Sequence, residues 1–390
     1  MIYLDNAATS YPKPACVREA MRKALTLYGA NPGRGGHRMS LETAERIYAA
    51  RETAAKLFCA VSPTDVVFTN NATSALNMAL QGLSLQGEQV VVSSMEHNAV
   101  MRPLTALQKQ GTQVVTVTVN PADDKATVAA FARALTPQAA AIVCTHASNV
   151  TGEVLPIRQI GALAAARGIP FVVDASQTAG LIPIDMQKDH IDFLCMPGHK
   201  GLYGPTGTGM LIQSGRFALK PLLYGGTGSE SASWEQPRDW PEQMESGTLN
   251  VVGVLGLDAG MRWVMERGVE RSHRQEMTKL QYLYRSLKSV KGVKLYGCTP
   301  QTWNHVPLLS FNLDGYNSEE VAALLDEAGI AVRAGLHCAP SAHRQIGTEA
   351  CGTVRVSLSA FTTVAELENI YKIIVKISRK PLQMQKNVIK

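Results

Sequence analysis

The chain has 390 residues, of which 45% are hydrophobic and 18% charged, and a formal net charge of +6. Its length suffices for about two to three domains, and its composition excludes the disordered, collagen-like and disulfide-scaffold classes. No apolar run approaches the roughly 18 residues that span a bilayer, and MIYLDNAATS lacks a signal peptide's apolar stretch, so neither a membrane segment nor a secretion signal is expected.

The positive charge is concentrated near the C-terminus. Six basic residues and no acidic ones follow residue 370, namely Lys372, Lys376, Arg379, Lys380, Lys386 and Lys390. The rest of the chain is formally neutral, which argues against an extended nucleic-acid-binding face. We therefore expect no nucleic-acid partner and a solvated basic tail.

The seven cysteines are an odd number and show no C-x-x-C spacing. Neither a complete disulfide framework nor a zinc cluster is expected, and no metal site is predicted. A reducing, cytoplasmic setting fits this cysteine usage best.

Short β-branched runs alternate with helical patterns between residues 60 and 215. Predicted strands cover residues 66–69, 90–93, 114–119, 141–145, 171–173, 191–195 and 209–212, and predicted helices cover 72–83, 99–110, 125–135 and 157–167. This alternation predicts an α/β fold with a mainly parallel sheet covered by helices on both faces. Such sheets bind ligands at the carboxyl ends of their strands, so the polar residues there are the candidates.

The pattern changes after residue 215. Residues 215–250 are rich in Gly, Ser, Pro and Trp and predict a long irregular loop of functional importance. A helical stretch over 252–288 follows, and then an α+β segment with strands 308–313, 331–333 and 353–358 and helices 318–328 and 364–376. We expect this segment to form a smaller second domain.

Two polar residues follow neighbouring predicted strands. Asp174 ends the run FVVD, and Lys200 lies just past the next strand in PGHKGLYGPTGTG. A lone Asp there is more often a helix cap or loop acid, but it can also face a protonated ring nitrogen of a cofactor. A lysine can form a Schiff base when burial lowers its pKa. The pair is a much more specific signal than either residue alone.

The segment 69–74, TNNATS, lies between a strand and a helix, where backbone N–H groups and hydroxyls bind anions. A simple helix cap is the alternative, because Ser, Thr and Asn are favoured there. Together with the acid–lysine pair, the segment indicates a pyridoxal 5'-phosphate site. His97 in MEHNA can stack on the ring, and Asn149 or Gln177 can donate to its hydroxyl, although each alone would be a structural or turn residue.

Six segments in order over nearly the whole chain resemble a known family. They are LDNAAT (4–9), MEHNA (95–99), HASNVTGEVLPI (146–157), VVDASQTAG (172–180), GHKGLYGPTGTG (198–209) and RAGLHCAP (333–340). The sequence resembles the cysteine desulfurases, in the class V aminotransferase branch of the fold-type I pyridoxal-phosphate enzymes. Selenocysteine lyases belong to the same branch.

The resemblance implies a homodimeric enzyme with a large cofactor-binding domain (13–255) and a smaller domain (1–12 plus 256–390). It implies these roles toward the cofactor: Lys200 as the lysine bound to it, His97 against its ring, Asp174 at its ring nitrogen, Asn149 and Gln177 near its ring oxygen, and Thr73 and His199 at its phosphate. Thr248, in ESGTLN, would reach the phosphate in the neighbouring subunit.

Cys338 is the thiol with a predicted chemical role. In the family, the cysteine of this segment carries sulfur away from the substrate as a persulfide, which implies conversion of L-cysteine, or L-selenocysteine, to L-alanine. Arg333 and His337 lie close in sequence and can favour the thiolate. The alternative is a small buried residue, but Gly335 and Pro340 indicate a loop. We expect the other six cysteines to be packing residues.

One further residue matches the family and two positions depart from it. Arg355, in GTVRVSL, matches the arginine that clamps the substrate carboxylate bidentately; its alternative is a surface strand arginine. Pro197 replaces a serine often found in the lysine motif, and Gly201 is an extra residue after Lys200. These departures indicate a divergent subfamily with one altered phosphate contact.

Rival functions stay open from the sequence. One is another class V activity, such as an aminotransferase, epimerase or C–S lyase, none of which requires a loop cysteine. Another is a scaffold without cofactor that only passes on sulfur. The acceptor is not identified, because iron–sulfur scaffold proteins, tRNA thiolation enzymes and selenium pathways all fit.

Overall fold

The computed structural model describes residues 1–33 and 36–379. A seven-stranded sheet forms the centre of the first half of the chain. The elements in chain order are β1 (Ile2–Tyr3), α1 (Ala15–Leu27), α2 (Arg38–Phe58), β2 (Val66–Thr69), α3 (Ala72–Gly82), β3 (Gln89–Ser93), α4 (Asn98–Gln108), β4 (Gln113–Val117), α5 (Asp124–Ala134), β5 (Ala139–Thr145), α6 (Ile157–Arg167), β6 (Phe171–Asp174), β7 (Phe193–Pro197) and β8 (Gly209–Gln213). Of the predicted basic tail, Lys380, Lys386 and Lys390 lie outside the described residues.

The strand order is β2-β8-β7-β6-β5-β3-β4. Only the two pairs made by β8 are antiparallel, so the other six strands run in one direction. The predicted mainly parallel sheet is confirmed. In the register, Thr145 pairs with Asp174 and Asp174 pairs with Cys195, so β5, β6 and β7 end side by side.

Helices cover both faces of this sheet, because its apolar strands are buried on both sides. Side chains of α3 and α4 pack on one face, and side chains of α2, α5, α6 and α7 (Val251–Arg267) pack on the other. Local signals set the helix ends. The side chain of Asn71 accepts a hydrogen bond from the Ser74 amide at the start of α3, and Gly168 ends α6 with a φ of 64°.

The second half of the chain builds a separate three-stranded sheet. Its elements are α7, α8 (Val269–Lys288), β9 (Val293–Tyr296), β10 (Leu308–Leu313), α9 (Ser318–Glu327), β11 (Ile330–Ala331), α10 (Pro340–Ile346), β12 (Val354–Ser357) and α11 (Val364–Ser378). The antiparallel order is β12-β10-β9, and α8, α9 and α11 pack on it. The N-terminal β1 pairs in parallel with β11. The division into 13–255 and 1–12 plus 256–390 stays a prediction.

The structure differs from the sequence predictions at several elements. The helical stretch 252–288 is two helices, because Gly268 adopts a φ of 78° and ends α7. The predicted strand 331–333 stops at Ala331, and Arg333 forms an isolated bridge with Arg355 instead. Helices α1, α2 and α10 and strands β1 and β9 were not predicted. Residues 215–250 form the predicted irregular loop.

A buried ion pair connects the 215–250 loop to α2 and to the edge of the sheet. Arg51 of α2 donates two hydrogen bonds to Glu245, at 2.9 Å and 2.6 Å, and both side chains are 6% exposed. Arg51 also donates to the Val66 carbonyl, and the Phe68 amide donates to Glu245 Oε1 at 2.6 Å. The pair therefore joins α2, β2 and the loop that carries Thr248.

We expect Glu245→Ala to lower the free energy of unfolding by about 3–5 kcal/mol, because it leaves the Arg51 guanidinium buried without its counter-charge. Urea unfolding measures this loss. The control is Glu19→Ala, which breaks an exposed pair with Arg22 and should cost at most about 1 kcal/mol. Equal losses in the two variants would contradict the assignment.

Candidate active site

A polar cavity of about 220 Å³ lies at the carboxyl ends of β5, β6 and β7. Eight of the ten predicted site residues line it: Thr73, His97, Asn149, Asp174, Gln177, His199, Lys200 and Arg355. Cys338 and Thr248 are not among its lining residues. Arg333 and His337 also line the cavity, so the segment that carries Cys338 borders it.

Asp174 is the buried last residue of β6. Its Oδ1 accepts one hydrogen bond, 2.9 Å long, from the Ser176 amide. This bond is the turn contact that the simpler interpretation expects, and it satisfies only part of the carboxylate's acceptor capacity. The negative charge of Asp174 also raises the pKa values of His97 and Lys200, although in both cases the opposing effect of burial is larger. Asp174 is thus a buried carboxyl group close enough to His97 and Lys200 to affect the pKa values of both.

Lys200 follows β7, and burial lowers its pKa to about 8, against the opposing effect of Asp174. The preceding peptide group is held tightly, because the His199 carbonyl accepts hydrogen bonds from four donors in the N-terminal segment. They are Thr9 Oγ1 at 3.1 Å, the Ser10 amide at 3.0 Å, Ser10 Oγ at 3.1 Å and Lys13 Nζ at 2.8 Å. Of these donors only Thr9 lies in the segment LDNAAT, and the sequence pattern predicts no such role for any of them.

The structure shows where the two departures from the family pattern, Pro197 and Gly201, lie. Pro197 ends β7 and lines the cavity. A Cβ on the extra Gly201 would lie 2.4 Å from the Ala179 carbonyl oxygen, and a Cβ on Gly180 would lie 2.4 Å from the Gly201 carbonyl oxygen. The added residue therefore has to be glycine, since two backbone segments touch there.

Two histidines in the cavity favour their neutral forms. Burial lowers the pKa of His97, and its Nδ1 accepts from the Ala99 amide at 3.0 Å, capping α4. A neutral ring with an accepting Nδ1 carries its proton on Nε2. Burial and the nearby Lys200 lower the pKa of His199 to about 4. Its Nδ1 is buried and has no hydrogen-bond partner among residues 1–33 and 36–379.

Arg355, on β12, is 1% exposed, so the alternative of a surface arginine is wrong. It forms an ion pair with Asp5 at 2.9 Å through Nη2, and Nη1 donates to the Asn149 carbonyl at 3.0 Å. Its Nε has no partner among the described residues. The guanidinium thus joins the N-terminal segment, the loop after β5 and β12. Gln177 reaches the same N-terminal segment by donating to the Ala7 carbonyl at 3.2 Å.

Cys338 is exposed on the loop between β11 and α10, so the alternative of a buried packing thiol is wrong. His337 and Cys338 both have left-handed backbones, with φ of 49° and 57°. The His337 carbonyl accepts from Asn149 Nδ2 at 2.7 Å, and the Cys338 carbonyl accepts from the Asn98 amide at 2.7 Å. The loop backbone is therefore tied to the site while its thiol remains accessible.

The expected help of His337 in forming a Cys338 thiolate is wrong. The imidazole is buried next to the Thr353 carbonyl, 3.1 Å from its Nε2, and burial and Arg355 lower its pKa to about 2. A ring that stays neutral supplies no positive charge. Arg333, which lines the cavity, is the cation that remains from the predicted pair.

The other thiols only partly match the expectation of packing residues. Cys144 and Cys195 are buried, Cys59 and Cys298 are half-buried, and Cys16 and Cys351 are exposed. The expectation is wrong for the two exposed residues, because both lie on surface segments that sequence periodicity did not identify.

Thr248 is exposed and lines a neighbouring cavity of about 320 Å³. Thr73, at the start of α3, lines both cavities. Thr248 thus lies beside the expected phosphate segment, outside the main cavity of its own chain.

Lys200 makes the stability of the ligand-free protein depend on pH. Its pKa falls from an ordinary 10.5 to about 8, so the unfolded chain binds more protons between these values and stability rises with pH across that window. We expect Lys200→Met to raise the free energy of unfolding by about 3 kcal/mol at pH 7, with the gain disappearing as pH approaches 10.5.

Denaturant titrations of the ligand-free protein at several pH values measure this gain. The matched control is Lys188→Met, because Lys188 is exposed and paired with Asp185 at 2.8 Å. A gain for Lys200→Met that does not change with pH would contradict the prediction.

Among the described residues, no group of three or more His, Cys, Asp or Glu side chains could hold a metal ion. No helix in the same ranges is long and apolar enough to cross a membrane.

Comparison with known proteins identifies relatives over nearly the full length. The sequence profile of the family described as Aminotransferase class-V matches residues 2–370. A probable cysteine desulfurase of Methanothermobacter thermautotrophicus is 35% identical over 376 residues, which cover 94% of this chain and 92% of the relative.

Two solved structures of similar fold are also cysteine desulfurases. The apo structure of a cysteine desulfurase from Thermococcus onnurineus NA1 matches with a TM-score of 0.90 and 32% identity, covering 97% of this chain and 94% of that one. The cysteine desulfurase CsdA from Escherichia coli matches with a TM-score of 0.86 and 30% identity, covering 96% and 94%. The resemblance and the fold class expected from the sequence are confirmed: the chain belongs to the class V aminotransferase family, in its cysteine desulfurase branch.

Proposed function

We propose that this protein is a pyridoxal-phosphate-dependent cysteine desulfurase that converts L-cysteine to L-alanine and keeps the sulfur on Cys338 as a persulfide. One observation carries the proposal. An exposed thiol lies on a loop whose backbone is bonded to Asn149 and Asn98, at the border of the cavity that contains Lys200 and Asp174. Other class V activities do not need such a thiol.

The residues present fit pyridoxal 5'-phosphate. The buried Asp174 carboxylate suits a protonated ring nitrogen, and the lysine with a lowered pKa suits covalent attachment. His199 Nδ1, which has no partner in the part of the chain that the structure describes, and the start of α3 at Thr73 suit a phosphate. His97 would lie against the ring, and the amides of Asn149 and Gln177 near the ring oxygen. When bound, the cofactor supplies an electron sink for bond breaking at the substrate's α-carbon.

The chain's own residues then bind the substrate and move protons. Arg355 is held rigidly by Asp5, and its guanidinium presents a fixed charge for the substrate carboxylate. Lys200, whose pKa of about 8 leaves part of the amine neutral near neutral pH, takes up the α-proton. His97, neutral with its proton on Nε2, is the acid–base partner for the sulfur step.

In the sulfur step, the Cys338 thiolate bonds to the substrate sulfur while the substrate's carbon–sulfur bond breaks. The electron pair of that bond stays on the carbon skeleton, which takes up protons and leaves as alanine. Cysteine and the enzyme thiol thus become alanine and the enzyme persulfide, and no external oxidant or reductant is consumed.

The proposal includes a cytoplasmic homodimer. Exposed apolar side chains on α1, on α2 and in the 215–250 loop support a second copy packing there: Leu25, Leu27, Met39, Leu41 and Leu223 are all more than half exposed. Thr248 would then reach the partner's phosphate from the same loop. A separate sulfur-acceptor protein completes the reaction, because the persulfide has to be discharged before the next turnover.

We expect Lys200→Ala to lose the visible-edge absorbance of the bound cofactor and to form alanine about 10³-fold more slowly, since both attachment and proton transfer are removed. Absorbance spectra and alanine assays measure the two losses. Lys188→Ala serves as the control and should behave like wild type. A yellow, active Lys200→Ala enzyme would overturn the assignment of Lys200.

We expect Cys338→Ala to keep the cofactor absorbance but to lose turnover of cysteine, because the sulfur has no acceptor atom. Intact-mass measurement after incubation with cysteine should show added sulfur on wild type and none on the variant. Cys351→Ala, which removes another exposed thiol, is the matched control and should retain both. If Cys338→Ala still turned over selenocysteine, the protein would be a selenocysteine lyase.

A further inference from the structure

A second, smaller cavity lies beside Lys200 and is distinct from the main one. Its volume is about 30 Å³, and Lys200, Gln177 and Glu276 contribute to its lining. Because a water molecule needs about 10–15 Å³ of such space and two to four polar partners, the cavity can hold about two waters. Ser10, Ser357 and Ser359 also line it, and their hydroxyl oxygens can accept hydrogen bonds from such waters.

Glu276 is the unusual member of this lining. It is a carboxyl group on the buried side of α8, 2% exposed, next to the apolar Met277 and Leu280. Its Oε2 has no hydrogen-bond partner in the described part of the chain. Buried polar groups are otherwise almost always bonded, and the mechanism described so far makes no use of this one.

The charged groups around Glu276 do not neutralise it by direct contact. Arg267 and Lys279 lower its pKa by their charge alone, with no hydrogen bond to it among the described residues. Tyr203 also lines the cavity, and burial together with the charge of Glu276 raises the pKa of its hydroxyl. Lys279 Nζ donates to the Thr362 carbonyl at 2.6 Å, and the Arg267 guanidinium lies 4.8 Å from the Trp263 ring centroid. Burial outweighs both cations and raises the pKa of Glu276 to about 7.

We propose that this cavity holds water that connects Lys200 to Glu276, and that Glu276 stores the proton which Lys200 takes from the substrate. The Lys200 ammonium gives a proton to the water, and the water gives a proton to the Glu276 carboxylate. The products are a neutral amine and a neutral carboxylic acid, and the reverse transfer restores both charges. Glu276 acts through Lys200 and does not touch the substrate.

The extra glycine of this sequence lies at the same place. Gly201 lines the small cavity, and a Cβ there would lie 3.0 Å from Leu181 Cγ as well as 2.4 Å from the Ala179 carbonyl oxygen. The absence of a side chain at position 201 lets the backbone after Lys200 pass this wall of the cavity. The proposed water site thus borders Gly201, the residue that this chain has in addition to the usual family pattern.

The proposal rests on the proposed function only for the origin of the proton, and its test has two independent arms. In the first arm, a crystal structure of the holoenzyme should show ordered water between Lys200 and Glu276. Infrared titration should show a protonated carboxyl band that disappears as pH rises through about 7 and is missing in Glu276→Gln. A dry cavity or an unchanged band in the variant would overturn the proposal, whatever the substrate is.

In the second arm, α-deuterated L-cysteine is converted in ordinary water, and the deuterium retained in alanine is measured by mass spectrometry. Wild type should lose most of it through the water and Glu276. Glu276→Gln should retain several-fold more, with kcat about tenfold lower, KM unchanged and no titration near pH 7 in the kcat profile.

The matched control is Glu153→Gln, since Glu153 is also buried but is bonded to the Thr151 hydroxyl at 2.8 Å and lies outside the cavity. It should retain as little deuterium as wild type. If Glu276→Gln retained as little deuterium as wild type and its kcat had the wild-type pH dependence, the proposal would be overturned. If wild type forms no alanine, the proposed function fails, and the first arm still decides whether the water site exists.

Discussion

The geometry of this site depends on one carbonyl oxygen, that of His199. A carbonyl has two lone pairs, yet Thr9, Ser10 and Lys13 direct four donors at this one, the Lys13 ammonium lying 2.8 Å away. A hydrogen bond from a charged group contributes about 1.5–3 kcal/mol, so Lys13 is the strongest of the four. The N-terminal segment thereby fixes the peptide that precedes Lys200. A lysine has four rotatable side-chain bonds, and a fixed backbone is the first requirement for presenting its amine reproducibly.

The same segment also fixes the cation at the other side of the cavity. Asp5 forms an ion pair with Arg355, and the Asn149 carbonyl takes a second donor of that guanidinium. Burying a single guanidinium would be costly, and these two contacts offset that cost, while Nε has no partner within residues 1–33 and 36–379. Residues 5–13 thus hold both Lys200 and Arg355, although β1 itself pairs with β11 of the second sheet. The N-terminal segment therefore connects the two sheets through these contacts.

Features determined by local sequence were predictable, and features determined by tertiary packing were not. The alternating β-branched runs predicted the succession of strands and helices along the chain but not the order of the strands in the sheet. Strand-terminal polarity placed Asp174 and Lys200 at one edge of that sheet. The neutral state of His337 follows from burial against Thr353 and Arg355, which no local pattern encodes. No local pattern marks Glu276 either, because it reaches the site from α8, far along the chain from Lys200. The break at Gly268 was readable in principle, as a glycine inside a long helical pattern.

The loop of Cys338 combines a strained backbone with an exposed thiol. Two successive non-glycine residues in left-handed conformations cost about 1–2 kcal/mol each, and the bonds from Asn149 and Asn98 to their carbonyls offset that cost. The result of this backbone path is that the His337 ring is buried while the next side chain, the thiol, is exposed. In an extended loop, successive side chains would also point to opposite sides. Such a loop would not, however, present two consecutive carbonyl groups to the donors of Asn149 and Asn98. The strained loop therefore couples the position of an exposed thiol to Asn149, which lines the cavity, and this is the geometry that the proposed transfer of sulfur to a second molecule requires.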